Sequence, residues 1–283
     1  MTAPRSTHEK QTDAIRVYTH NIYARRADWS SRRRVLIEGL HRTAPDIVLF
    51  QEEVLTAEYD QTADVLGEKW NIAHSQARSA DEDSGISVAS RWPLEVVAEI
   101  DLTAGGRAVD EYIWASLVVR VHTPSGPVII ANHFPEAAAD GEIERQRQAV
   151  LVAQELESLA SSDDAPMVIA GDFNAEPDAA SLRFLTGKQP IDQASVVYVR
   201  TWDAVHPDET CVTLDPANPL VAAGLPGWPY REIDHILVRC GASGTSIMRI
   251  DACERVLDRP YAGTWASDHY GVVADLSAPG TFP

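Results

Sequence analysis

One short stretch, residues 167–174, constrains the fold and the chemistry of this chain more than any other. Residues 168–170 are an apolar run typical of a strand in the middle of a sheet. Gly171 allows the backbone to turn and to approach a ligand closely. Asp172 and Asn174 are two positions apart, so on an extended segment their side chains face the same side. Such a pair can serve a metal-bound water and a phosphate oxygen, although a simple Asx-turn at a strand end has the same pattern.

The same arrangement recurs along the chain, because several apolar runs that predict buried strands end on a polar residue. These residues are Asn, Asp, Glu or His: Asn21, Glu52, His133, Asp172, Asn174, Asp234, Asp268 and His269. A single one of them has an ordinary structural explanation, such as a capped turn. That many together indicate a shared site, since α/β proteins place their chemistry in the loops at strand ends.

Strands and helices alternate along the sequence, which is the rhythm of an α/β protein. The predicted strands cover residues 15–19, 47–50, 85–90, 95–102, 112–122, 128–131, 168–170, 232–238 and 271–276. The predicted helices run from Ser30 or Ser31 to Arg42 and over 57–66, 142–159 and 177–185. Residues 189–225 predict long loops that shape substrate specificity. We expect a single domain over residues 14–278, preceded by a disordered arm at 1–13.

The charge of the chain limits the partners that it can have. A net charge of −18 and a pI near 4.8 argue against a broad basic face that holds nucleic acid. They do not exclude nucleic acid as a substrate. Residues 25–34 are locally basic, with five arginines. Residues 32–34 fit a solvated helix start, whereas Arg25 or Arg26 could contact a substrate phosphate.

The cysteines and the distribution of apolar residues predict a soluble, cytoplasmic protein. Cys211, Cys240 and Cys253 are odd in number and have no C-x-x-C spacing. Neither a zinc site nor a disulfide framework is therefore expected, although one pair could still bridge. Residues 1–13 lack the apolar stretch of a signal peptide, and no run approaches the roughly 20 apolar residues of a membrane span. The sequence does not indicate an oligomeric state.

The polar strand ends belong to a longer series of motifs. In chain order these are YTHNI at 18–22, DIVLFQE at 46–52, GISVASRWP at 85–93, NH at 132–133, RxxQ at 145–148, GDFN at 171–174, REID at 231–234 and SDH at 267–269. In residues and in order, the series resembles the endonuclease/exonuclease/phosphatase superfamily, and GDFN with a terminal SDH is specific. One departure is Asn132-His133-Phe134, where Thr-His-Leu is the commoner form.

The resemblance implies a fold and a metal site. The fold is a DNase-I-like four-layer sandwich, in which two mixed β-sheets pack face to face with helices on the outside. Glu52 resembles the principal ligand of Mg²⁺ or Mn²⁺, with Asn21 beside it and Asp268 as a second carboxylate on the metal side. Hard oxygen ligands suit both ions, which also bind phosphate.

The resemblance also implies the catalytic residues. Asp172 is similar to the residue that orients or deprotonates the attacking water, and Asn174 would donate to a phosphate oxygen. His133 and His269 would contact oxygens that gain charge in the transition state, with His269 oriented by Asp234. A carboxylate behind a histidine fixes its tautomer and raises its pKa. The implied reaction is in-line attack of water on phosphorus, with the acid and the number of metal ions left open.

Three functions remain open for such a site. Hydrolysis of a small-molecule, nucleotide or lipid-headgroup phosphoester is favoured over nuclease activity on DNA or RNA, because a duplex binder neutralises several phosphates with Lys and Arg. A non-catalytic binding protein is least favoured, because every polar position holds a competent residue. Trp228 and Tyr230 could stack on a base or sugar of the substrate, although either could equally belong to the core.

Overall fold

Twelve strands and six helices form the part of the chain that the computed structural model describes, residues 14–103, 114–162 and 164–278. The strands are β1 Ile15–Asn21, β2 Ile47–Val54, β3 Asn71–His74, β4 Ser84–Ser90, β5 Leu94–Asp101, β6 Ala115–Thr123, β7 Gly126–Phe134, β8 Met167–Asp172, β9 Tyr198–Arg200, β10 Asp234–Arg239, β11 Arg249–Val256 and β12 Gly271–Ser277. The helices are α1 Trp29–Thr43, α2 Gln61–Leu66, α3 Glu142–Ser162, α4 Ala180–Leu185, α5 Thr201–Val205 and α6 Pro219–Gly224. The arm predicted at 1–13 lies outside the described residues.

The strands form two mixed sheets of six strands each. Their orders are β11-β12-β1-β2-β4-β3 and β5-β6-β7-β8-β10-β9. Each sheet has a central parallel pair, β1–β2 in the first and β7–β8 in the second. Helix α1 connects the first pair and α3 the second, since parallel neighbours need a long crossover. The carboxyl ends of the two pairs meet at one edge, where Asn21 on β1 lies 3.1 Å from Asp172 on β8.

The two sheets pack face to face, and helices cover their outer faces. The core between the sheets includes Val17 of the first sheet and Val168 of the second, both fully buried. A second apolar cluster packs Leu36 of α1 against the first sheet. A third packs Leu156 of α3 against the second sheet. The predicted four-layer sandwich is confirmed.

Strand β2 runs further than the sequence pattern predicts, and this changes the position of Glu52. The predicted strand ended at residue 50, but β2 continues to Val54. Its register against β4 shifts between Gln51 and Glu53, and Glu52 has a φ of 54°. A bulge of this kind leaves one residue outside the ladder and re-aims its side chain. Glu52 therefore lies in a bulge inside β2 and not after the end of the strand.

Other elements also differ from the predicted ones. Strands β3, β9 and β11 and helices α5 and α6 were not predicted, and three of these lie in the segment 189–225 that was predicted as loops. The N-cap of α1 is Asp28, whose side chain accepts from the backbone N–H of Ser31, and not Ser30 or Ser31. Helix α3 extends three residues past its predicted end. No helix in the described ranges is both long and apolar enough to cross a membrane.

Candidate active site

A cavity of about 820 Å³ opens at the edge where the polar strand ends meet. Several residues predicted for the site line it: Arg26, Glu52, Asp172, Asn174, Trp228, Asp268 and His269. Asn21, His133 and Asp234 are each 1 % exposed and are buried next to these residues. The fold therefore gathers all the predicted site residues except Arg25 and Tyr230.

The Asn21 amide links the two sheets at this edge. Its Nδ2 atom donates to Glu52 Oε1 at 3.0 Å and to Asp172 Oδ2 at 3.1 Å. Its Oδ1 atom accepts from the backbone N–H of Tyr23 at 3.1 Å. One buried amide nitrogen thus holds a carboxylate from each sheet.

Glu52 lies in a negative environment that suits a divalent cation. Burial raises the pKa of its carboxyl, the charge of Asp268 raises it further, and Arg26 opposes these effects. Arg26 donates to Glu52 Oε2 at 2.9 Å and to Glu82 Oε2 at 2.6 Å. A divalent cation would stabilise the charges of Glu52 and Asp268 together, and carboxylate oxygens are the ligands that Mg²⁺ and Mn²⁺ prefer. These residues therefore fit the implied metal.

Asp172, Asp234 and His269 form a second group of possible metal donors, with ligand atoms within 4.8 Å of one another. His269 Nδ1 lies 2.9 Å from Asp234 Oδ2, and His269 Nε2 lies 3.9 Å from Asp172 Oδ2. Burial lowers the pKa of His269, but the two carboxylates raise it well above its usual range. A protonated imidazole has no lone pair for a metal. This group is therefore better suited to hydrogen bonding and proton transfer.

Asp172 is a buried carboxyl whose pKa is raised. Burial and the negative charge of Asp234 raise its pKa to about 7, although His269 and Asn21 oppose the rise. Its Oδ1 atom accepts from the backbone N–H of Asn174 at 3.0 Å, which fixes the orientation of the carboxylate. A base is most effective when its pKa lies near the working pH.

Gly171 permits a close approach of its backbone to the neighbouring strand β7. Its φ is +150°, and a Cβ atom there would lie 2.0 Å from the carbonyl oxygen of His133 on β7. No side chain fits in that space. Asn174, which follows, has a φ of 50° and donates from Nδ2 to the carbonyl of Pro135 at 3.1 Å. The close pairing of β7 and β8 thus places the loop that carries Asn174.

His133 is buried and uncharged, in contrast to His269. Burial lowers the pKa of His133 to about 3. Its Nδ1 atom lies 2.6 Å from Ser116 Oγ, and its ring packs edge-on against Phe173 with 5.1 Å between the ring centroids. The two histidines of the predicted site therefore differ in charge.

Of the four residues predicted to bind substrate, Arg25 and Tyr230 lie apart from the cavity. Arg25 is exposed, and its guanidinium lies 4.5 Å from the centre of the Tyr59 ring. Tyr230 is 65 % exposed and lines a separate, smaller cavity. Trp228 does line the cavity, with the Arg231 guanidinium 5.3 Å from the centre of its ring.

Two residues with no predicted role also shape the site. Arg231 lines the cavity and donates to the carbonyl of Asn174 at 2.9 Å. Asn218 is fully buried and donates from Nδ2 to the carbonyls of Ser267 at 2.8 Å and Asp268 at 3.2 Å. Arg231 is the first residue of the REID motif, so the sequence did contain a signal that it belongs to the site. Asn218 lies in a segment without periodic pattern, so only the fold reveals its partners.

Arg32 was predicted in a solvated helix start, but it is 2 % exposed. Its guanidinium donates to the carbonyls of Ile22, Tyr23, Ala24, Arg26 and Ala266. Burial lowers its pKa to about 10. Arg32 therefore ties the loop that carries Arg26 to the segment just before the SDH motif.

Comparison with known proteins places this geometry in a family. The model of the endonuclease/exonuclease/phosphatase family matches residues 18–269. No curated protein sequence matches the chain.

Several solved structures share the fold at low sequence identity. D. rerio TDP2 in complex with a single-stranded DNA product has a TM-score of 0.72 at 18% identity, over 94% of this chain and 99% of that one. The human Nocturnin catalytic domain with a bound sulfate anion has a TM-score of 0.67 at 16% identity, over 96% and 97%. An endonuclease/exonuclease/phosphatase from Bacteroides vulgatus has a TM-score of 0.70 at 19% identity, over 94% and 99%.

The family match spans the motifs from the YTHNI sequence to the SDH sequence, and the two mixed β-sheets with helices match the structural neighbours. Members of this family are metal-dependent phosphoester hydrolases. The chain therefore belongs to the endonuclease/exonuclease/phosphatase family.

Proposed function

We propose that this chain hydrolyses a small-molecule, nucleotide or lipid-headgroup phosphoester in a reaction that depends on a divalent metal ion. The observation that carries the proposal is the arrangement of Asn21, Glu52 and Asp172. The Asn21 amide donates to both carboxylates, of which Glu52 would bind the metal ion and Asp172 would act as the base. His269 adds a protonated imidazole at the same cavity. A metal ligand, a base and a cation at one place are the groups that attack of water on phosphorus requires.

Glu52 and Asp268 would hold the metal ion, with Asn21 beside them. When bound, Mg²⁺ or Mn²⁺ would neutralise negative charge on the phosphate. The pKa of Glu52 supports this assignment, because burial and Asp268 make its negative charge unfavourable without a cation.

Asp172 would accept a proton from the attacking water. The water oxygen forms a bond to phosphorus while the bond from phosphorus to the leaving oxygen breaks on the opposite side. The leaving oxygen then needs a proton. The charge difference between the histidines supports His269 as its donor, because His269 is protonated and His133 is neutral.

His133 and Asn174 would stabilise the phosphate as neutral hydrogen-bond donors. With the Ser116 hydroxyl donating to Nδ1 of His133, the ring proton is on Nε2 and can be donated to an oxygen. The Asn174 amide uses one N–H for the carbonyl of Pro135 and has a second for a ligand. Donors directed at oxygens that gain charge lower the barrier.

Nuclease activity is the second candidate function. A specific observation favours it: the similar D. rerio TDP2 structure holds a single-stranded DNA product. The net charge of −18 favours the small phosphoester, because a nucleic acid strand gains affinity from many free Lys and Arg side chains.

Parallel hydrolysis assays with Mg²⁺, Mn²⁺ or EDTA distinguish these functions. The substrates are bis(4-nitrophenyl) phosphate, a panel of phosphorylated metabolites and supercoiled plasmid, each also incubated with the Asp172→Ala variant. We expect metal-dependent turnover of a metabolite, an intact plasmid, and loss of turnover in the variant. Plasmid nicking that the variant loses would assign the chain to the nucleases. Turnover that survives both EDTA and Asp172→Ala would overturn the mechanism.

A further inference from the structure

The active-site cavity has an apolar part that the proposed hydrolysis does not use. Its members are large aliphatic or aromatic side chains: Trp114, Phe134, Leu214, Leu220, Leu225, Trp228 and Ile233. They share one cavity with Glu52, Asp172 and His269. A volume of about 820 Å³ is much more than a phosphate group needs, and it lies in the range of cavities that hold small organic ligands.

Part of this apolar lining is a small cluster of its own, separate from the main core. Leu214, Val221 and Ile233 are buried together, and Leu225 and Trp228 pack against them while also lining the cavity. Side chains that serve only the fold are normally covered. Here the outer members of the cluster, Leu225 and Trp228, are half-buried and line the same cavity as Glu52, Asp172 and His269.

The apolar cluster is fixed in position relative to the catalytic groups. Asn218 caps α6 by accepting from the backbone N–H of Leu220 at 3.0 Å. The same side chain donates to the carbonyls of Ser267 and Asp268. Helix α6 and the apolar residues around it are therefore anchored to the segment that carries the SDH motif. A surface that selects among substrates needs this kind of rigid support.

The charges around the cavity allow for few phosphates. Among the described residues that line it, Arg26, Arg231 and the protonated His269 are the cations. Arg26 contacts the carboxylates of Glu52 and Glu82, and Arg231 contacts that of Glu176. The carboxylates that line it are Glu52, Glu136, Asp140, Asp172 and Asp268. A strand with several phosphates would meet more negative than positive charge there. One phosphoryl group joined to an apolar group brings less negative charge into this lining than such a strand does.

We propose that the phosphoester that this site accepts carries an apolar alkyl or aryl group. The phosphoryl group lies at Glu52, Asp172 and His269, and the apolar group packs against Leu225, Trp228 and Phe134. This inference rests on the proposed function, whose site it extends by naming the chemistry of the group attached to the phosphate.

The test is a comparison of two non-hydrolysable ligands, methylphosphonate and hexylphosphonate, by isothermal titration calorimetry in Mg²⁺. The expected dissociation constant is at least about tenfold lower for hexylphosphonate, because each buried methylene adds favourable transfer free energy. The ratio of the two constants should fall toward one in Trp228→Ala and in Leu225→Ser. Trp70→Ala is the matched control, because Trp70 lines another cavity and also packs under an arginine, with Arg91 4.8 Å from its ring centre.

Equal affinity for the two phosphonates, or the same ratio in Trp228→Ala and Leu225→Ser as in the wild type, would overturn the inference. Hydrolysis of bis(4-nitrophenyl) phosphate by the same preparation separates this failure from failure of the proposed function. Metal-dependent hydrolysis with equal phosphonate affinities would overturn only the apolar specificity. A hexylphosphonate preference without any hydrolysis would support the apolar site and contradict the proposed reaction.

Discussion

The Nδ1 atom of His269 lies 2.9 Å from the Oδ2 atom of Asp234, a carboxylate that is almost completely buried on β10. The contact fixes the ring so that Nε2 is directed toward Asp172, at 3.9 Å. It also contributes to the raised pKa of His269. The charge and the direction of this imidazole therefore depend on a residue that does not line the cavity.

Replacement of that carboxylate should impair catalysis. We expect Asp234→Asn to lower kcat for bis(4-nitrophenyl) phosphate by roughly 10²–10⁴-fold, the usual contribution of a positioned acid or base. Steady-state kinetics measure the loss, and thermal unfolding checks that the variant is folded. Asp64→Asn is the control, because Asp64 is a partly buried carboxylate paired with Arg33 away from the cavity. A kcat equal to that of the wild type would contradict the assigned role of Asp234.

Asn218 should act as a positioning residue. Asn218→Ala removes two hydrogen bonds to the SDH segment and the cap of α6. We expect the free energy of unfolding to fall by about 1–3 kcal/mol and kcat/KM to fall by about tenfold, because the cavity lining shifts. Chemical denaturation and steady-state kinetics measure the two effects. In the control Asn71→Ala, an exposed amide loses one long contact of 3.4 Å, and both quantities should stay nearly unchanged.

Gly171 should tolerate no side chain. In Gly171→Ala the new Cβ meets the His133 carbonyl oxygen at 2.0 Å, so β7 and β8 must separate. We expect a loss of more than about 3 kcal/mol in the free energy of unfolding. Gly67→Ala separates this clash from the backbone effect, because Gly67 also has a positive φ, +83°, but nothing within 4 Å of the added atom. Its loss should be about 1–3 kcal/mol from the backbone conformation alone, and similar losses in the two variants would be evidence against the clash.

The stability of the protein should depend on pH through His74, which lies between two carboxylates. Its Nδ1 and Nε2 atoms lie 3.1 Å from Glu53 Oε1 and Asp60 Oδ2, respectively. Burial lowers the pKa of His74, but the two carboxylates outweigh it and the pKa is raised. Charged His74 therefore stabilises the fold below the unfolded-state pKa of about 6.5. This stabilisation is lost as pH rises through the folded-state pKa.

Denaturation of the wild type and of His74→Gln at about pH 6 and about pH 9 tests this dependence. The difference in unfolding free energy between the two proteins should be larger at the lower pH. A difference that is constant, or larger at the higher pH, would show that His74 is not held in its charged form.

Much of the site could be predicted because apolar runs mark buried strands and their ends are visible in the sequence. Asn21 and Asp172 each end such a run, whereas Asp234 begins one. Because β10 is antiparallel to β8, with Asp234 opposite Asp172, the fold brings all three to one edge. Glu52 was expected after a strand and instead lies in a bulge, because a bulge depends on the partner strand and not on the local pattern.

The remaining parts depend on contacts that are distant in sequence. Strands β3 and β11 are at sheet edges and are less apolar than the central strands, so their patterns are weak. The sequence around Arg32 is that of an exposed helix arginine. Its burial results from contacts with the carbonyls of Ile22 and Ala266, and Ala266 is far away in the sequence. The neutral state of His133 results from its complete burial, which no local pattern shows.

Metal-dependent attack by a water that Asp172 deprotonates is tested by kcat/KM for bis(4-nitrophenyl) phosphate with the wild type and Asp172→Asn, in Mg²⁺ and after EDTA treatment. Asn is similar in size to Asp but cannot accept the proton of the attacking water. We predict a loss of roughly 10²–10⁴-fold in the variant and loss of activity in EDTA that added Mg²⁺ restores. Full activity of Asp172→Asn, or wild-type activity that EDTA leaves unchanged, would contradict metal-dependent hydrolysis at this site.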